Sequence, residues 1–298
     1  MSPQSNSIEN FSGDTGKRVH RTRPFYWSAQ KELWENRYLS ILPLAIAGAA
    51  LLAFLVATIA RALATSDLAQ RRTVLTEPDH FVTALIMGAA FIAGFFYSLE
   101  ALHGERRDRS ILFWKSLPVS DLTTVLSKLS IPLVFLPLFS FVIVLGIEST
   151  MLAISSLALR ANGMSAGLLW TSFFQSMGML FYHLITVHML WYAPVYAYLL
   201  LVSGWAKRAV FLWAALPLIV IFATEKILFG STHFLSYLGY RLSGPEPFDM
   251  ETATKAPMAM THLSLAAFLT TPGLWGGFIF AAIFIFAAVR LRRAQGPI

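Results

Sequence analysis

The 298-residue chain is predicted to be an all-α integral membrane protein with six transmembrane helices and both termini on the cytoplasmic side. Three observations carry that prediction. Hydrophobic residues make up 56% of the chain and charged residues only 13%, against about 25% charged in an average soluble domain. Several apolar runs reach the roughly 20 residues needed to cross a hydrocarbon core about 30 Å thick. The positive charges also alternate between connections. With both termini inside, the inner segments 1–38, 104–128, 204–209 and 290–298 hold sixteen of the 23 Lys and Arg residues. The outer segments hold the other seven, a bias that orients the chain by the positive-inside rule.

Residues 1–24 are polar and carry Lys17, Arg18, Arg21 and Arg23. No apolar signal core starts there, so this stretch reads as a disordered basic tail rather than a cleaved leader. Residues 25–38 then read as an amphipathic interfacial helix. Trp27, Trp34, Tyr38 and Ile41 recur at steps of seven, four and three, which gathers them on one side. Lys31, Glu32, Glu35 and Asn36 fall mainly elsewhere, and such aromatic faces favour the headgroup region. The competing reading is an N-terminal extension of the first span.

Residues 39–298 read as one transmembrane domain. Its spans lie at about 39–60, 81–103, 125–159, 168–203, 209–229 and 273–290, with a charged inner loop at 104–122. The third and fourth are too long for straight spans, so tilt, projection or breaks are expected, with Pro132, Pro137 and Pro194 as candidate kinks. The outer connection 230–272 is expected to hold one or two short helices, and 256–275 is a candidate re-entrant segment.

Several chemistries lose support. Without cysteine there is no disulfide, Cys-ligated metal, iron–sulfur cluster or thiol catalysis. There is no H-E-x-x-H and no G-x-x-x-x-G-K-[ST], so neither a zincin site nor a phosphate loop is expected on this chain. The net charge of +7 is spread over loops and reads as topology rather than nucleic-acid binding. Gly163-Met-Ser-Ala-Gly167 matches G-x-S-x-G but sits between two apolar helices, not at a strand–turn–helix, so Ser165 is not expected to be a nucleophile. His183 and His188 are five apart, where a metal pair on one helical face needs three or four. They are expected to be buried and hydrogen-bonded. Gly273 and Gly277 have the G-x-x-x-G spacing that permits close helix contact. Glu148 lies inside an apolar run, and two readings stay open. It is an intramembrane functional group, or it is a solvated residue where the helix leaves the bilayer. Glu225 and Lys226 are expected to snorkel or pair.

The densest charge cluster is Glu105-Arg-Arg-Asp-Arg-Ser-Ile-Leu-Phe-Trp-Lys-Ser-Leu-Pro-Val-Ser-Asp121, between two membrane-length segments. A helix over about 108–116 would pair Arg109 with Phe113 at i and i+4. Pro118 should end it at Leu117, and Ser120 or Asp121 should cap the next helix. Such a segment is either a knob for a soluble partner, with Ile111 to Trp114 as its body and Arg106 and Arg109 as its rim, or a positive-inside loop with interfacial aromatics.

Residues 104–129, GERRDRSILFWKSLPVSDLTTVLSKL, resemble the segment after the second span of bacterial ABC-2-type transporter permeases. The six-span layout, the aromatic pre-helix and the long last outer connection agree with that family. The resemblance implies a permease subunit, an exporter of the bacterial cytoplasmic membrane. It implies pairing with a second permease subunit and with two separate ATP-binding subunits. It places docking and coupling on Glu105, Arg106, Asp108, Arg109, Phe113, Trp114, Leu117, Pro118 and Asp121. No catalytic residue, metal or cofactor is then expected on this chain, ATP and Mg²⁺ being held by the partner ATPase. Two rivals are a membrane enzyme acting on lipids near Glu148, His183 and His188, and a non-transporting scaffold or sensor.

Overall fold

A computed structural model describes residues 22–64, 80–116, 119–161, 163, 165–244 and 265–296. Among these residues all regular structure is helical. Five helices are long and apolar enough to cross a bilayer, and a bent pair makes a sixth if counted as one span. The described residues are thus all-helical, with several helices able to span a bilayer as in a multi-pass membrane protein. Its outward face is apolar, with Ile227 81% exposed and Leu168 80% exposed, as suits a surface solvated by lipid rather than water.

α1 (Thr22–Glu35) is set off from α2 (Tyr38–Ala64) by a turn at Asn36–Arg37. The break makes α1 a separate helix, three residues earlier than the predicted 25–38, and not an extension of the first span. Its polarity is inverted relative to a soluble helix: Trp27 and Trp34 stay outside while Glu32 is buried. α3 (His80–Glu100) returns and leads into the charged loop, which holds α4 (His103–Arg107) and α5 (Ile111–Ser116). The single helix expected over 108–116 is broken. Asp108 to Ser110 form a turn, and Arg109 takes a left-handed conformation at φ 58°. That turn removes the expected Arg109–Phe113 helical pair. Leu117 and Pro118 lie outside the described residues.

α6 (Asp121–Ser130) starts on a true cap. The Ser120 hydroxyl accepts from the Thr123 amide at 3.1 Å, and Asp121 places a carboxylate in the positive first turn. The helix continues through a π-helical turn at Ile131–Phe135 into α7 (Leu136–Ala161). From Asp121 to Ala161 it runs 41 residues, about 60 Å at 1.5 Å per residue, twice a hydrocarbon core. α8 (Gly167–His183) passes into a second π-helical stretch, Leu184–Trp191, then bends by 44° into α9 (Ala193–Trp205). Pro132 starts the first π turn and Pro194 the helix after the bend. Neither proline has an N–H to continue an α-helical ladder, which accounts for breaks at these points.

α10 (Val210–Phe229) is followed by α11 (His233–Ser243), α12 (Leu265–Thr270) and α13 (Pro272–Ala294). Glu225 caps α11: its carboxylate accepts from the Ser231 hydroxyl and from the amides of His233 and Phe234 at 2.6–2.8 Å. The glycine pair of α13 does allow close approach, but to side chains rather than a second helix backbone. A Cβ on Gly273 would press on Trp191 and Tyr240, and one on Gly277 would overlap the Arg241 guanidinium. Among the described residues the most extensive helix packing joins α9 to α13.

Candidate functional site

The end of α3, the start of α6 and the last turns of α9 and α13 meet at one end of the bundle, with α1 laid across them. A buried ionic knot ties them together. Lys128, with its side chain 2% exposed, donates to Glu32 Oε1 at 2.8 Å and lies 3.1 Å from Glu105 Oε1. Glu32 also accepts from the Tyr97 hydroxyl at 2.9 Å. The other oxygen of Glu105 accepts from Arg292 Nη1, and Arg292 Nε reaches Asp121 Oδ1 at 3.1 Å. Lys31 lies within 3.6–3.7 Å of Glu32 and Glu105, with its ammonium 3.5 Å from the centre of the Trp114 ring. The indole face offers this cation an attraction that water would otherwise supply.

Three cations, Lys31, Lys128 and Arg292, therefore face three anions, Glu32, Glu105 and Asp121. An exposed pair is worth about 0–1 kcal/mol, so the rim contacts of Glu35 and Arg293 add little. The buried centre differs in kind. A buried network does not raise stability above a well-packed apolar core, but removing one member strands an unpaired charge. The knot therefore fixes one arrangement of α1, the charged loop, α6 and α13.

Further contacts hold the base of the loop. Arg106 Nη1 donates to the Gly204 carbonyl at 2.6 Å and Nε to that of Gly296 at 3.4 Å. The Leu102 and His103 amides both donate to the Ser203 hydroxyl, and Lys115 donates to the Gln295 carbonyl at 2.9 Å. Arg106 thus satisfies carbonyls at the C-terminal end of α9, where a cation also complements the helix dipole.

The nine residues singled out for docking divide by environment. Glu105 and Arg106 are buried and occupied within the chain. Asp121 is half-buried on Arg292. Trp114 is half-buried under Lys31. Asp108, Arg109 and Phe113 are exposed, Phe113 packing edge-on to Trp114. Ile111 is the buried anchor of α5, while Leu112 and Phe113, at 60% and 61% exposure, form its outward face. Leu117 and Pro118 are not among the described residues.

Sequence reasoning missed Lys128 and Arg292 as partners of Glu105, and Glu32 as the second carboxylate on Lys128. One signal was available: Lys128 lies just before an apolar run, and Glu32 between two tryptophans, where an unpaired charge would be expensive.

The other candidates lie apart. Glu148 accepts from the Thr83 hydroxyl, which ties α7 to the first turn of α3, far from the knot. His188 Nε2 lies 3.1 Å from the Pro132 carbonyl and packs among Phe91, Tyr192 and Tyr196, hydrogen-bonded as expected but half-buried rather than buried. Ser165 is exposed in the turn before α8. Among the described residues no group of three or more His, Asp or Glu side chains could hold a metal ion. Comparison of the chain with protein-family models, curated proteins and solved structures returned no match.

Proposed function

We propose that the chain is the membrane subunit of an ATP-driven exporter, with the outward face of α5 as the docking point for a separate ATP-binding subunit. The observation that carries this reading is an exposed apolar pair, Leu112–Phe113, on a short helix whose base is clamped by buried charge. A topology loop lying on the headgroups would also expose an apolar pair, but it would not need the buried ionic clamp. A knob for a partner needs both: apolar residues to fill a groove, and a rigid mount so that force is passed on rather than absorbed. Asp108 and Arg109 stand beside the pair as a charged rim. The likeness of residues 104–129 to ABC-2-type permeases supports the same reading. In this reading the knot, α1 and both termini face the cytoplasm, and α11 and α12 lie on the outer side. The subunit pairs with a second permease chain in the bacterial cytoplasmic membrane, and ATP and Mg²⁺ bind the partner.

A photo-crosslinking residue at position 113 tests this in intact membranes. The account expects covalent capture of a nucleotide-binding ATPase subunit, and no capture from position 157 on α7. Substitution of Arg109 or Trp114 is expected to weaken that association while the fold survives. Capture of lipid alone at position 113 would reject the docking assignment.

A further inference from the structure

Among the described residues the buried core falls into two large apolar clusters and a small third one, Trp191 with Phe268 and Leu274, at the end of the second π segment. One apolar cluster joins α6, α9 and α13 with the second half of α3, through residues such as Val125, Tyr97, Tyr196, Leu200 and Ala288. A second joins α7, α8 and the first half of α3, through Ile143, Met151, Phe173, Met177, Val82 and Ile86. The ionic knot belongs wholly to the first.

Two spans pass from one cluster to the other through a π-helical segment. The α6–α7 helix does so at Ile131–Phe135 and the α8–α9 helix at Leu184–Trp191, where the 44° bend follows. π segments are rare, and each breaks the regular backbone ladder of its helix. Their coincidence at one level is therefore informative. The two segments touch, and one bond joins them: His188 Nε2 donates to the Pro132 carbonyl at 3.1 Å. That carbonyl is positioned by the π turn, and a carbonyl can only accept, so the proton sits on Nε2.

We propose that the chain is two packing units hinged at these paired π segments, with His188 as the latch that sets the angle between them. The unit holding the ionic knot carries the docking loop. Displacement of α5 then swings α9 and α13 together against α7 and α8, while α2 and α3 flex between them. This rests on the permease reading for what pushes the loop, but not for the existence of the hinge.

The absence of native cysteine makes spin labelling clean. Labels at Leu157→Cys on α7 and Phe286→Cys on α13, both exposed, measure the distance between units. Labels at Trp205→Cys and Ile279→Cys report within the first unit, and at Leu157→Cys and Phe174→Cys within the second. Measured by electron–electron double resonance on the chain in lipid nanodiscs, His188→Phe should shift the distance between units on the order of 2 Å, a typical helix displacement in switching proteins. Both internal distances should hold, and His188→Gln, which keeps a donor, should resemble the parent. If His188→Phe does not fold, Pro132→Ala restores an N–H at the first π turn and should produce the same selective shift. An unchanged distance between units, or internal distances that change equally, overturns the hinge. Addition of the ATPase partner with ATP should then move the same distance. A hinge seen in the chain alone but unmoved by ATP leaves the hinge standing and removes the permease reading.

Discussion

Replacing Glu105 by Gln removes one negative charge from the centre of the knot and leaves its shape almost unchanged. Three cations would then face two anions, and the excess is held at a site where the side chains of Lys128 and Arg292 are 2% and 4% exposed. Breaking a buried pair by removing one partner costs up to about 3–5 kcal/mol, and here Lys128 keeps only Glu32 and Arg292 only Asp121 as counter-ions. Stability of a domain somewhat smaller than this one changes by 2–4 °C per kcal/mol, so the loss should lower the unfolding midpoint by roughly 10 °C. Tryptophan fluorescence during heating in detergent would read it, since Trp114 sits beside Lys31 at the edge of the knot. A second variant separates charge from packing. Glu105→Gln combined with Lys128→Met restores parity and should recover most of the loss, a coupling that a double-mutant cycle measures. A single variant within about 0.5 kcal/mol of the parent would refute the reasoning, as would a double variant that sums the two losses.

Three further outcomes follow from local geometry. Gly277→Ala sets a Cβ into the Arg241 guanidinium, and should destabilise by about 1–3 kcal/mol in chemical denaturation unless Arg241 is shortened as well. Arg109→Gly should be neutral or stabilise by up to about 1 kcal/mol, because φ 58° suits glycine, whereas Arg109→Val should destabilise the loop and raise its susceptibility to limited proteolysis. Leu112→Ser with Phe113→Ser should leave the melting curve within about 0.5 kcal/mol of the parent, since both side chains are exposed, while abolishing co-purification of the proposed ATPase subunit.

The spans were legible because lipid imposes a length and an apolar composition on each of them. The positions at which Pro132 and Pro194 disturb helices were legible for a similarly local reason. The inner side of α1 was not. Helical spacing placed Glu32 away from the aromatic stripe, but the stripe faces outward and Glu32 is the residue that docks. In a membrane protein the apolar face of a helix does not mark its inside. Nor could the sequence pair Glu105 with Arg292, which are 187 positions apart and obey no periodicity. The closing RLRR reads as an orientation signal, and one of its arginines is turned inward. The broken loop helix had a weaker cue still, since nothing in Asp108-Arg109-Ser110 demands a left-handed residue.

The role proposed for α5 is to receive force from a separate ATPase. The most direct test is the ATP hydrolysis rate of the proposed nucleotide-binding partner reconstituted with the chain in lipid nanodiscs, compared between the parent and Phe113→Ser. The account predicts that the parent chain alters the partner's hydrolysis rate on assembly, and that Phe113→Ser returns it to that of the free partner without unfolding the membrane subunit. A partner whose hydrolysis responds equally to both chains would contradict it.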